Sequence, residues 1–168
     1  MHAPTRLLAA LALVAGAPLL LAADPHGHDR NAATGIEALS PPLREALVAE
    51  MQAIQGGMMS VVPALVAGRW DEVADTARRI RDSYIMKQSL TEAQLGELHD
   101  ALPADFQALD ARFHADAGML AHAAEARKAE LVAFYFSRMM ETCVACHSRH
   151  ATAKFPELAR EATEDHGH

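Results

Sequence analysis

The chain has 168 residues, a formal net charge of −7 at pH 7 and an aromatic content of only 5%. The acidic balance argues against nucleic acid as a partner, because a protein that binds the phosphate backbone needs a basic surface. Scarce aromatic residues and abundant alanine favour helices over sheets, so the composition predicts an all-α fold.

Residues 1–23 carry the pattern of a secretory signal peptide. Arg6 precedes the apolar stretch Leu7–Leu21, and Ala22 and Ala23 follow as small residues before a cleavage point. The apolar stretch is shorter than the roughly 20 residues that a membrane span needs, although an uncleaved anchor is the alternative. We therefore predict removal of the signal peptide, location in the periplasm and no stable membrane span in the mature chain.

Residues 24–39 begin with a polar run and are predicted to be a flexible lead-in to the first helix. Ser40 is an N-cap candidate, and the two prolines after it suit a first helical turn. Gly68 is a stop signal for the same helix. Between these positions, apolar residues recur at helical spacing and are expected to face the core: Leu43, Leu47, Met51, Ile54, Met58, Val61 and Leu65.

A second helix is predicted from Trp70 to about Lys87, because apolar residues again recur on one stripe. Thr91 and Gln94 form a capping-box pattern, which predicts that a short extra helix begins there. A third helix follows Pro103.

The third helix is predicted to run to about Ala124, and a fourth helix is predicted to begin near Lys128. Phe155-Pro156 is expected to end the fourth helix or to lie beyond it, since the residue before a proline disfavours helical geometry.

Four amphipathic helices with short connections predict an antiparallel up-and-down four-helix bundle over residues 40–155. Residues 156–168 are then a polar, histidine-containing tail. His-Gly-His occurs at 26–28 and again at 166–168, and paired histidines beside acidic residues can capture a divalent metal. Solvated tails are the interpretation that we favour for both segments.

The most informative motif is the run Cys143-Val144-Ala145-Cys146-His147 in the fourth predicted helix. Two cysteines three positions apart, followed directly by a histidine, form the attachment signature of c-type haem. On a helix these three side chains fall within an arc of about 100°, so they face one edge of a porphyrin. The motif predicts one haem c, held by thioethers from Cys143 and Cys146, with His147 as an axial iron ligand.

Other interpretations of the cysteine pair fit the sequence less well. A redox dithiol of this spacing belongs in a βαβ context, which the helical pattern does not offer. A zinc site needs a second pair of ligands, and the chain has only two cysteines. A structural disulfide would join consecutive turns of one helix and would constrain little.

The arrangement resembles the class II c-type cytochromes, the family of cytochrome c′ and cytochrome c-556. The resemblance rests on the CVACH motif at 143–147 and on a first-helix run from Met51 through Gly57-Met58-Met59 to Ala67-Gly68. That run looks closest to the c-556 branch, and the resemblance covers about residues 41–154. Cytochromes c′ are up-and-down bundles, so the resemblance implies the same fold.

In the c-556 branch a methionine of the first helix is the sixth iron ligand, and by position the resemblance implies Met51 for this role. Antiparallel first and fourth helices would bring Met51 and His147 toward the same end of the bundle. The alternative is that Met51 fills the core, as methionines on apolar stripes usually do. Met58 is the rival ligand, two turns further along the same face. We interpret the other histidines near the motif as surface residues: His114, His122 and His150.

An iron with both axial positions filled has no site for a substrate, so His147 and Met51 together imply a carrier of single electrons rather than an enzyme. The partners implied are periplasmic or membrane-bound redox proteins, and the acidic chain favours a partner with a basic docking face. If Met51 only fills the core, the resemblance implies a five-coordinate haem that binds NO or CO. Family members occur as monomers and as homodimers, and both states stay open here.

Overall fold

The computed structural model describes residues 35–158, and every regular element in that range is helical. A short 3-10 helix, Gly35–Ala38, precedes six α-helices: α1 (Pro41–Val66), α2 (Trp70–Arg81), α3 (Met86–Ser89), α4 (Glu92–Ala101), α5 (Ala104–Glu125) and α6 (Ala129–His150). The predicted all-α class is confirmed. The predicted signal peptide, most of the lead-in and both His-Gly-His segments lie outside the described residues. Of the helices just named, none is both long and apolar enough to cross a membrane.

Helix α1 begins and ends where the sequence predicts. Pro41 stands in the first turn, and Gly68 follows the last turn with a φ of +69°, a left-handed conformation that glycine adopts without strain. The Gly68 N–H donates to the Leu65 carbonyl at 3.0 Å, and the Arg69 N–H donates to the Ala64 carbonyl at 2.9 Å. These bonds satisfy carbonyls of the last turn, so the helix ends cleanly.

The second helix is shorter than predicted, because α2 ends at Arg81 rather than near residue 87. Ser83 adopts a φ of +63°, which lies outside right-handed helical geometry. The turn that follows is held by a side chain from α1. The carboxylate of Glu50, which is 2% exposed, accepts hydrogen bonds from the backbone N–H groups of residues 84–86.

The capping box predicted at Thr91 and Gln94 is confirmed at the start of α4. The Gln94 N–H donates to the Thr91 hydroxyl at 3.3 Å, and the Thr91 N–H donates to the Gln94 side-chain oxygen at 3.0 Å. Two backbone donors of the helix start are therefore satisfied.

The end of the predicted flexible lead-in differs from expectation, because residues 35–39 are folded. The 3-10 helix Gly35–Ala38 leads into Leu39, which is 2% exposed. Burial of this apolar side chain fixes the chain just before α1.

The core of the described domain consists of two hydrophobic clusters. The main cluster draws on α1, α2, α5 and α6 and includes the fully buried Val73, Ile80, Leu120 and Met139. The smaller cluster contains Leu39, Leu43, Leu47, Met86, Leu102 and Phe106. Helix α1 packs closely on α2, α2 on α5 and α5 on α6, whereas α1 and α6 are not a closely packed pair within residues 35–158.

Candidate haem-attachment site

Cys143 and Cys146 lie on consecutive turns of α6 as free, partly buried thiols. Cys143 packs against the main cluster, and Cys146 packs against the smaller cluster. Burial raises the pKa of both thiols, and for Cys146 burial together with the charge of Asp110 raises the pKa to about 11. A redox-active dithiol needs a lowered thiol pKa, so this environment disfavours the dithiol alternative.

One face of α6 packs against the main cluster. Val132 and Met139 are completely buried, and Phe136 and Cys143 pack partly buried against the same cluster. The cysteine and histidine side chains therefore continue an apolar stripe that already contacts the core.

His147 is partly exposed, and its imidazole stacks on the ring of Phe155 with 4.4 Å between centroids and 17° between planes. Burial, and secondly the charge of Lys154, lowers the pKa of His147. The neutral imidazole, which a lowered pKa favours, is the form that binds a metal. Across residues 35–158, neither ring nitrogen of His147 has a hydrogen-bond or ion-pair partner.

The helices that carry the two predicted iron ligands, α1 and α6, do not pack closely against each other in the described domain. Gly57 faces Tyr84 and Ile80, and so marks the side of α1 that contacts α2 and the turn after it. Met51 is about 120° away from Gly57 around the helix and about 20° from the buried Met58, so it lies on the same stripe of α1 as Met58. A half-exposed apolar side chain lies one helical turn before each predicted ligand, Val48 before Met51 and Val144 before His147.

Met51 differs from the other members of the predicted α1 stripe. Met51 is 38% exposed and belongs to neither cluster, whereas five other members of the stripe are buried: Leu43, Leu47, Ile54, Met58 and Val61. The Met51 thioether is therefore not used for core packing, and its role as an iron ligand stays a prediction. Met58, the rival, is 6% exposed within the main cluster, so its thioether is committed to packing.

The surface interpretation is confirmed for His122, whose side chain is 69% exposed, but it is wrong for His114 and His150, whose side chains are each 12% exposed. His114 Nδ1 donates to the Ile80 carbonyl at 2.7 Å. The ring of His150 meets Phe106 edge-on, 5.3 Å between centroids. The ring of His114 thus contacts α2, and the ring of His150 contacts α5. The sequence alone does not show that these helices lie so close to the two rings.

Haem c is implied by the motif, and the donor set present fits it. Two free thiols share one helix edge, a histidine with a lowered pKa lies directly beside them, and a thioether outside the core lies on α1. Within residues 35–158, including the CVACH motif, no group of three or more His, Cys, Asp and Glu side chains is arranged to hold a metal ion by itself.

Two residues that shape the surroundings of the site were missed by sequence reasoning. Glu50 precedes Met51 and holds the turn after α2, and Phe155 covers the ring of His147. The sequence offered one signal for Phe155, namely an aromatic residue directly before Pro156 beyond the end of the helix.

A comparison with protein-family models, curated proteins and solved structures found no match to this chain.

Proposed function

We propose that this chain is an exported mono-haem c-type cytochrome of class II, which carries single electrons between periplasmic redox partners. One observation carries the proposal: Cys143, Cys146 and His147 lie together at one edge of α6 as two free thiols and an imidazole without hydrogen-bond partners among the described residues. This is the donor arrangement that covalent attachment of haem requires.

The proposed architecture is an antiparallel up-and-down four-helix bundle formed by α1, α2, α5 and α6. Consecutive close packing of α1 on α2, α2 on α5 and α5 on α6 supports it. The short helices α3 and α4 then form the connection between the second and third helices of the bundle. The haem would lie between α1 and α6, which do not pack closely against each other.

Each proposed ligand has a distinct role in the site. Cys143 and Cys146 would hold haem c through thioethers, and His147 and Met51 would occupy the two axial positions. When bound, haem c supplies one iron that alternates between Fe(III) and Fe(II), and thioether ligation raises its potential. The partly buried helix edge would shield the group from water on one side, and the half-exposed Val144 and Met140 would offer an apolar surface to a transient partner.

Two axial ligands from the chain would leave no position for a substrate, which is why we propose a carrier and not an enzyme.

The decisive variant is Met51→Ala in the protein matured with haem. We expect it to abolish the methionine-to-iron charge-transfer band of the oxidised protein and to lower the reduction potential.

The matched control is Met59→Ala, because Met59 lies on the same helix and is 70% exposed. An oxidised spectrum that is high-spin and is unchanged by Met51→Ala would contradict the electron-carrier proposal and favour an open iron that binds NO or CO. Absence of covalent haem in the matured wild-type chain, or its retention in a Cys143→Ala/Cys146→Ala variant, would overturn haem attachment itself.

A further inference from the structure

Phe155 and His147 form a nearly parallel ring pair just beyond the end of α6. The stack covers a face of the imidazole, while the ring edge that carries both nitrogens has no hydrogen-bond partner in residues 35–158. A metal binds an imidazole in the plane of the ring, through a nitrogen at that edge. Stacking on the face and coordination at the edge are therefore compatible.

The backbone after α6 brings Phe155 back onto the helix. The Ala151 N–H donates to the His147 carbonyl at 3.2 Å, and the Ala151 carbonyl accepts from the N–H groups of Lys154 at 3.0 Å and Phe155 at 2.9 Å. Pro156 further restricts the backbone of Phe155 to extended conformations. The aromatic ring is thus tied to the same helical turn that carries His147.

Lys154 holds the ring from a second direction. Its ammonium group lies 5.7 Å from the Phe155 centroid, within the range of a cation–π contact. Phe155 is therefore fixed by a turn, by a following proline and by a neighbouring cation, and its orientation is set independently of His147.

We propose that Phe155 is a positioning residue that fixes the ring plane of His147 for iron coordination, and this inference rests on the function proposed above. In most metal sites the second nitrogen of a ligating histidine is oriented by a hydrogen bond to a carboxylate or a carbonyl. Within the described domain His147 has no such partner, and the aromatic stack occupies that role.

The test uses the haem-loaded protein and the variants Phe155→Leu and Phe155→Tyr. Phe155→Leu removes the stack, so we expect a changed spread of the paramagnetically shifted haem-methyl resonances, which report the plane of the axial histidine. We also expect an increase of about two- to tenfold in the fraction with His147 detached at mildly acidic pH, as the usual strength of an aromatic pair implies. Phe155→Tyr keeps the stack and should retain both wild-type properties.

The matched control is Phe134→Leu. Phe134 is on the same helix as His147, is 53% exposed and does not touch His147. If Phe155→Leu matches Phe134→Leu in both measurements, the positioning role is overturned. Should Phe155→Leu fail to fold by circular dichroism, Phe155→Met against Phe155→Tyr gives the same comparison. A wild-type chain without covalent haem would instead overturn the proposed function, so the two failures are distinguishable.

Discussion

The buried carboxylate of Glu50 on α1 accepts a hydrogen bond of 2.6 Å from the backbone N–H of Ile85, which directly precedes α3. The same carboxylate also accepts from the N–H groups of Tyr84 at 2.9 Å and Met86 at 3.3 Å. One side chain thus satisfies the donors at the start of a helix that has no side-chain cap of its own. It also ties the segment of α1 that carries Met51 to the turn after α2.

Replacement of Glu50 by Ala should lower the free energy of unfolding by about 3 kcal/mol, because it leaves several buried N–H groups without an acceptor. Glu50→Gln keeps one acceptor oxygen and should cost about half as much. Urea denaturation followed by circular dichroism measures both values. Glu45→Ala is the matched control, since Glu45 is an exposed residue of the same helix. Equal stability of the Glu50→Ala and Glu45→Ala variants would contradict this account of the turn.

Gly57 is a position where α1 closely approaches α2 and the turn after it. A Cβ at this position would lie 2.5 Å from the Tyr84 hydroxyl and 3.3 Å from Cδ1 of Ile80. Gly57→Ala should therefore destabilise the chain by about 1–3 kcal/mol through overpacking. Thermal unfolding measures the effect.

Gly56 provides the matched control for this prediction, because a Cβ there meets nothing within 4 Å. Gly56→Ala should stabilise the chain by up to about 1 kcal/mol, as alanine is the better helix former. Tyr84→Phe should recover part of the loss in Gly57→Ala, since it removes the closest atom. A Gly57→Ala variant as stable as Gly56→Ala would show that Tyr84 moves aside without cost.

The long helices were predictable from sequence because their signals are local. Gly68 ends α1 with the positive φ that its position requires, and the Thr91–Gln94 capping box is made of residues three apart. Apolar periodicity likewise located most of the buried face of α1, with Met51 as the exception, and the CVACH spacing placed both thiols on one edge of α6.

The break after α2 was not predictable, because its cause lies 34 to 36 residues away in α1. Tyr84 continues the apolar stripe of α2, and periodicity alone therefore extends that helix beyond Arg81. The same limit applies to His150, whose burial depends on Phe106 in another helix. The Phe155 stack requires a turn whose geometry no periodic pattern encodes.

The ion pair between Asp116 of α5 and Arg138 of α6 joins a buried carboxylate to a partly exposed guanidinium. Arg138 Nε donates to Asp116 Oδ1 at 3.0 Å, and the side chains are 34% and 8% exposed for Arg138 and Asp116. Asp116→Ala should lower the free energy of unfolding in a urea denaturation experiment, because it removes a buried carboxylate that joins the two helices. Exposed Asp75→Ala on α2 is the control, and it should cost less than about 1 kcal/mol.

A double-mutant cycle with Arg138→Met tests whether the loss comes from the pair. The loss in the double variant should then be smaller than the sum of the two single losses. Additive effects of the two substitutions would instead assign the loss to the packing of Asp116 or to its longer ion pair with Arg112, 3.8 Å between Nε and Oδ2.

In the chain before haem attachment, the pKa of the Cys146 thiol should lie well above that of an ordinary thiol. Burial and the charge of Asp110 raise its pKa to about 11, so in a Cys143→Ser background the rate of alkylation by iodoacetamide should rise with that apparent pKa. The unfolded thiol titrates near a pKa of about 8.5. Between these two values the folded state keeps a proton that the unfolded state has lost, so stability falls as pH rises through this window. Replacement of Cys146 by Ser in the same background should reduce this loss of stability with rising pH. An alkylation profile centred near a pH of about 8.5 in the folded chain would contradict the prediction, because it would show that the thiol is open to solvent.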